Sequence, residues 1–271
     1  MSATHGWQLN EDGPEIYEQY IVPAFSGAWA EDMVARADLQ EGNRILDMAC
    51  GTGIVTRKAW DATGGRVNIT GMDVNEIVLE KAREICAANN IPADFKRGSA
   101  EALPFGDGSF DAVLCQQGLQ YFPDRAAALK EVLRVLVPGG HAVFSVWRPL
   151  AYSPFYAVLH RALDHYVSKT AADTLASAYI LGDGDQLRAL FASAGFPDIT
   201  IRLVIKQMRC SDIDGFLGAG ISASPFAGEI AALPESQRRE MFRVIRDEIS
   251  DFTDDHGLAA PMTALLISAK A

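Results

Sequence analysis

Ile45-Leu46-Asp47-Met48-Ala49-Cys50-Gly51-Thr52-Gly53 is a short apolar run that ends in a glycine turn. Helix formers follow it over 54–64. A buried strand that enters a helix this way opens a parallel α/β sheet, because parallel neighbours need a crossover connection. Glycines at such a turn let a ligand approach the backbone at the carboxyl edge of the sheet. Four more runs repeat the pattern: Val67–Met72, Asp94–Arg97, Phe110–Cys115 and His141–Trp147. Segments near 76–89 and 124–136 supply further crossovers, the second with Ala127, Leu129, Val132, Leu133 and Leu136 at helical spacing. Pro138-Gly139-Gly140 is predicted to stop that helix and turn the chain into the fifth strand.

Beyond Trp147 the alternation breaks. Residues 149–183 read as an insertion with a helix around Phe155–Val167, followed by a helix over Asp185–Ala194, a turn at Gly195-Phe196-Pro197-Asp198 and a sixth strand from Ile199 to about Met208. A second insertion of helical character spans 211–260, and Met262–Ser268 is predicted as the last strand. The resulting division is 1–39 for N-terminal helices, 40–148 for a ligand-binding core, 149–183 for an insertion, 184–210 for core, 211–260 for an insertion and 261–271 for the final strand.

The 271 residues, 49% hydrophobic and 22% charged, belong to a folded chain large enough for one α/β core with an appended cap. A net charge of −11 with no basic run argues against a nucleic-acid partner, since such binding draws on Lys and Arg neutralising phosphates. The four cysteines, Cys50, Cys86, Cys115 and Cys210, show no metal-ligand spacing, so neither a metal site nor a disulfide is expected. The first residues carry no basic start or apolar run, and no later segment is apolar enough to span a bilayer, which reads as a cytoplasmic protein.

Asp47 sets a carboxylate immediately before the glycines, where it repels a pyrophosphate and attracts a cation. Position 56 is Thr, not the third glycine of a dinucleotide fingerprint, and no P-loop Lys follows. A nicotinamide-dependent dehydrogenase is therefore the weaker alternative. Asp73 ends the second strand 20 positions after Gly53, where a carboxylate in nucleotide-binding sheets accepts both ribose hydroxyls. Asn75, just ahead of Glu76-Ile77-Val78-Leu79, can cap the following helix and leave Asp73 for a ligand.

Leu46–Gly53, Gly71-Met72-Asp73-Val74-Asn75, Gly98-Ser99-Ala100-Glu101-Ala102-Leu103-Pro104-Phe105 and Pro138-Gly139-Gly140 together resemble the successive motifs of class I S-adenosylmethionine (SAM)-dependent methyltransferases. The likeness covers roughly residues 40–150 and is greatest to the group with the ubiquinone and menaquinone C-methylases and many natural-product enzymes. SAM carries a sulfonium and an ammonium and no phosphate, which suits Asp47. The resemblance implies a Rossmann-like, mostly parallel seven-stranded sheet with helices on both faces, an antiparallel last strand, and a helical lid from the N-terminal helices and late insertions. It implies that the Asp47–Gly53 loop, with Ala49, Gly51, Gly53 and Thr56, holds the methionine moiety, Asp73 the ribose, Val74 the adenine face and Ser99-Ala100 the adenine edge. Gln116 and Tyr20 are further expected cofactor contacts. Two positions depart from the family: Ser99 stands where Asp is common, and Cys50 where the quinone C-methylases often have a second glycine.

Tyr17, Gln117, Gln120, Tyr121, Trp147, Phe155 and Phe226 are the expected acceptor contacts, with Tyr156 and Ile221 beside them. Tyr17 and Tyr20 lie on a short helix predicted to break near Pro23, and Met241, Val244, Ile245, Ile249 and Phe252 recur at helical spacing in the second insertion. An apolar pocket with few polar groups suits a small, mostly hydrophobic acceptor. Displacement at a sulfonium is driven by alignment and desolvation, so neither a metal nor a covalent nucleophile is required. His141 begins a strand at the wrong end of the sheet, His160 and His165 do not share a helical face, and His256 lies in a polar loop. No catalytic base and no oligomeric state is assigned. A SAM-fold enzyme of another reaction and a SAM-binding protein without turnover remain the alternatives, separated from a methyltransferase by formation of S-adenosylhomocysteine (SAH).

Overall fold

A computed structural model describes residues 13–222 and 224–271, with the backbone alone at 219–222. The chain runs through α1 (Gly13–Ile16), a wide π-helical segment (Tyr17–Ser26) and α2 (Gly27–Ala35) into β1 (Arg44–Met48) and α3 (Ile54–Ala62). β2 (Asn68–Asp73), α4 (Glu76–Ala88), β3 (Asp94–Arg97), β4 (Phe110–Gln116), α5 (Arg125–Val135) and β5 (Leu136–Trp147) follow. The later half comprises α6 (Pro154–Tyr166), α7 (Lys169–Ala176), α8 (Gly184–Ala194), β6 (Asp198–Cys210), α9 (Ile213–Ser222), α10 (Ala227–Ala231), α11 (Glu235–Glu248), β7 (Thr253–Asp254) and β8 (Gly257–Lys270).

The main sheet has seven strands in the order β3-β2-β1-β4-β5-β8-β6; β7 only extends β8 as a hairpin. β1 to β5 are parallel, and β8 is antiparallel to both β5 and β6. This is the Rossmann-like methyltransferase arrangement expected from the sequence. Strand alternation decides the two faces. Ile45, Ile69, Leu114, Val143 and Leu266 point to α2 and α3, while Leu46, Met48, Val113, Cys115 and Phe144 point to the side holding α5 and α8. A third core lies beyond the sheet's edge, where Phe25, Trp29, Phe155, Leu159, Phe216, Phe226, Met241 and Ile245 unite the N-terminal helical run with α6, α9 and α11.

The chain direction reverses between β1 and β4: β2 and β3 are added on one side, β5 on the other. Connections leaving the carboxyl ends of β1 and β4 therefore diverge and open a crevice there. No described helix is long and apolar enough to cross a membrane.

Three local expectations change. Helix continues through Pro23, because the π-type winding widens the turn; the Gly27 N–H reaches the Val22 carbonyl, and the proline ring avoids the clash it meets in a tight α-turn. Pro138-Gly139-Gly140 lies inside β5, at a register shift where Leu136 pairs Phe110 but His141 pairs Ala112; Gly139 takes a φ of 80° there. The second insertion stops being helical near 252, since β7 and β8 form a hairpin about Asp255 and His256, and β8 starts at Gly257, five residues before the expected Met262. Pro261 is tolerated inside β8 because, among the described strands, only β6 pairs with β8 at that point, β5 having ended opposite Ala264.

Candidate cofactor and acceptor site

The crevice leads into a cavity of about 410 Å³ whose floor is the loop after β1. Ala49, Gly51 and Gly53 all have positive φ, at 56°, 53° and 82°. These left-handed steps carry the chain from the strand to the first turn of α3. Space is open at Gly51: among the described residues, no atom beyond its chain neighbours lies within 4 Å of the place a Cβ would take. The Cys50 N–H bonds the Met72 carbonyl at 3.0 Å, and the Gly53 N–H bonds the Cys50 carbonyl at 2.9 Å, which ties the loop to β2.

Asp47 and Thr56 stand behind the floor. Asp47 Oδ2 accepts the Thr56 N–H at 2.9 Å and its hydroxyl at 2.7 Å, while Oδ1 has no partner among the described residues. Burial pushes this carboxyl up to about 7, against the pull of the two Thr56 hydrogen bonds. Asp73 lies on the cavity wall, accepting the Gly51 N–H and the Asn75 N–H at 3.0 Å each. Burial raises its pKa as well. Asn75 caps α4 by accepting the Ile77 N–H at 3.0 Å, as its position in the sequence suggested, so the Asp73 carboxylate remains turned to the cavity loop.

The roof over this end is the N-terminal helical run. Arg57 on α3 donates to the Thr52 carbonyl at 2.8 Å and to both Glu18 oxygens at 2.9 and 2.8 Å, so one guanidinium joins the floor loop to the roof. Lys58 pairs with Glu31 at 2.6 Å, and Lys81 with Glu15. Inside the roof Tyr17 hydrogen-bonds Ser26 at 2.9 Å, and the Gln116 amide donates to the Ser26 carbonyl at 3.0 Å.

The far end of the cavity is aromatic. Phe25 meets Trp147 and Tyr156 edge-on at centroid distances of 5.9 and 6.3 Å, and Tyr156 lies 5.8 Å from Tyr179. Tyr121, Leu175, Ala178 and Met262 complete this wall. Burial raises the phenol pKa values of Tyr17, Tyr121, Tyr156 and Tyr179 above the usual range, so these rings stay neutral around pH 7.

Of the residues singled out in the sequence, Tyr17, Ala49, Gly51, Asp73, Val74, Ser99, Ala100, Gln116, Gln117, Tyr121, Trp147 and Tyr156 line the cavity. Val74 is 50% exposed at its rim. Gln117 has a φ of 54° and a buried amide with no partner among the described residues. Asp47, Gly53, Thr56, Tyr20, Gln120, Phe155 and Phe226 do not reach the cavity surface. Asp47 and Thr56 brace the loop from behind, Gly53 packs toward Ala82 and Phe95, Gln120 is buried, and Tyr20, Phe155 and Phe226 belong to the helical core. Ile221 lies outside the described side chains.

Lining residues not anticipated include Phe25, Glu101, Leu175 and Tyr179. Leu175 lies in α7 and Tyr179 just after it, in a stretch read from the sequence only as part of the first insertion, and Glu101 sits in a segment whose interest had rested on Ser99-Ala100. The only charged side chains lining the cavity among the described residues are the carboxylates Asp73 and Glu101. That acceptor set suits a ligand with a positive charge and hydroxyl or amine donors, and disfavours a phosphate, which needs cations or clustered N–H groups. SAM has this chemistry.

Known proteins bear on the same point. Residues 45–140 match the family model described as methyltransferase domain. The chain is 31% identical over 186 residues to the demethylmenaquinone methyltransferase of Shouchella clausii, covering 65% of this chain and 79% of the relative. It is 30% identical to the ubiquinone/menaquinone biosynthesis C-methyltransferase of Pseudoalteromonas translucida, covering 64% and 73%. Among solved structures it is similar to phosphoethanolamine N-methyltransferase 2 of Haemonchus contortus in complex with SAH, at a TM-score of 0.61 and 18% identity over 96% of this chain and 57% of that one. The chain thus belongs to the class I SAM-dependent methyltransferases, as a distant homologue of the menaquinone and ubiquinone C-methyltransferases, with SAM as its cofactor.

Proposed function

We propose that this enzyme transfers the SAM methyl group to a small, mostly apolar acceptor held at the aromatic end of the cavity. The observation that carries the reading is the convergence of that wall: Phe25 from the N-terminal helical run, Tyr121 after β4, Trp147 at the end of β5, Tyr156 on α6 and Tyr179 after α7 meet around one space. Five separate segments supply one apolar pocket with few polar groups, the design of a small-molecule site and not of an open groove for a macromolecule. On this reading the N-terminal run and the late helices act as a lid that excludes water.

For the cofactor, the assignment is that Ala49, Gly51 and Thr52 hold the methionine end, Asp73 the ribose hydroxyls, Val74 and Ala100 the adenine face, and Ser99 its edge. Gln116 stands between donor and acceptor. Asp47, Gly53 and Thr56 act indirectly by setting the loop, and Tyr20 by packing the roof. When bound, SAM supplies a methyl group already activated by its sulfonium. The protein's contribution is alignment: Gln117 and Tyr121 orient a polar atom of the acceptor while the rings hold its body on the line of attack.

The test is a screen of small molecules with SAM, read as SAH formed. Demethylmenaquinone, the acceptor in the names of the relatives, belongs in that screen beside other apolar ring compounds. Turnover on such compounds, reduced at least tenfold by Tyr156→Ala, is expected. SAH formation with RNA or protein fractions and with no small molecule would reject the proposal.

A further inference from the structure

Ser99 and Glu101 form a unit that the cofactor assignment leaves half explained. They flank a tight turn in which the Ala102 N–H bonds the Ser99 carbonyl at 3.2 Å. Within it the Ser99 hydroxyl donates to Glu101 Oε2. Glu101 Oε1 is buried and has no partner among the described residues. Both residues line the cavity, directly after β3, and the Gly98 N–H bonds the Asp73 carbonyl at 3.0 Å, so this turn adjoins the end of β2.

A hydroxyl has one proton and two lone pairs, and an ionised carboxylate only accepts. With its proton directed at Glu101, Ser99 offers the cavity lone pairs alone. The Ser99 and Glu101 side chains then present acceptors alone to the cavity, although a serine could otherwise donate or accept. A base seated one strand beyond the ribose carboxylate meets this edge. An exocyclic amine satisfies it; a carbonyl at the same ring position sets acceptor against acceptor and leaves both unpaired.

We infer that Glu101 is a positioning residue that fixes the polarity of the Ser99 hydroxyl, and that this pair makes the site read the adenine amine of its cofactor. The inference rests on the assignment of SAM's ribose to Asp73 made above. Calorimetric binding of SAH and of S-inosylhomocysteine, which has a 6-oxo group in place of the amine, tests it on the whole protein without turnover.

The wild-type protein is expected to prefer SAH by about tenfold or more. In Glu101→Gln the amide can donate to Ser99 and free the hydroxyl to donate in turn, so the preference should fall to within about threefold. Ser99→Ala should lose it equally, and Ser99→Asp in the Glu101→Gln background should restore it. A variant that merely folds less well weakens both ligands alike and leaves their ratio unchanged. Equal wild-type affinity for the two ligands, or an undiminished ratio in Glu101→Gln, overturns the polarity role while the SAM assignment stands. No binding of SAH to the wild-type protein overturns both.

Discussion

Breaking the Arg57–Glu18 pair should release the roof of the cavity from its floor. The side chains are 13% and 18% exposed, and Nη2 of Arg57 reaches both carboxylate oxygens. It therefore falls between an exposed pair, worth up to about 1 kcal/mol, and a buried one, whose breaking costs about 3–5 kcal/mol when one charge is stranded. Glu18→Gln leaves Arg57 its bond to the Thr52 carbonyl and should cost about 1–2 kcal/mol. Arg57→Met also unties Thr52 and should cost about 2–3 kcal/mol. The coupling energy from the double-mutant cycle is expected to be about 1–2 kcal/mol. Because Tyr17 and Thr52 both line the cavity, most of that coupling should appear in cofactor affinity, as a roughly tenfold rise in the Kd for SAH in either single variant. Urea denaturation and calorimetry on the four proteins provide both numbers. A coupling below about 0.3 kcal/mol together with unchanged SAH affinity would refute the link between roof and loop.

Asp73→Asn should weaken SAH binding by about tenfold or more by calorimetry if the carboxylate that holds the Gly51 and Asn75 N–H groups at the cavity wall also takes the ribose hydroxyls, as proposed. Gly51→Ala should lower the urea-unfolding free energy by about 1–2 kcal/mol from its positive φ, and reduce SAH affinity more than its stability by adding a methyl group on the open side of the loop. The pKa of Asp47 is raised by burial from 3.8 to about 7. Its contribution to stability is thus full below about pH 4 and is lost as the pH climbs to about 7, where the buried carboxyl must ionise. Other carboxyls oppose this trend, so the readout is the difference between proteins: Asp47→Asn, which keeps an acceptor for Thr56, should lose less stability than wild type between pH 5 and pH 8 in urea melts. A parallel pH dependence in both would remove Asp47 from the account.

The alternation of buried strand and crossover helix was legible because each rests on neighbours in sequence. Leu46 and Met48 against Ile45 divide the faces of β1 by period two, and Asn75 caps α4 by bonding a residue two positions on. The glycine turn was legible for the same reason, since positive φ at Gly51 and Gly53 is a demand of local backbone sterics. Pro23 misled because a proline breaks an α-turn but not the wider winding of Tyr17–Ser26, and the choice between them is made by packing of that run on the sheet and the late helices. The start of β8 at Gly257 was not legible, because whether a strand can carry Pro261 depends on whether a neighbour lies on each side, a matter of topology.

The motifs at 46–53, 71–75 and 98–105 thus determined the family and the sheet, through chemistry written within a few residues of each glycine or carboxylate. Only the tertiary structure decided which aromatic rings meet. Phe25, Trp147, Tyr156 and Tyr179 come from segments up to about 150 residues apart and have no shared period, and Phe155, beside Tyr156 in sequence, turns into the helical core instead. Adjacent positions on a helix face different ways, and which way is inward depends on where distant helices come to rest.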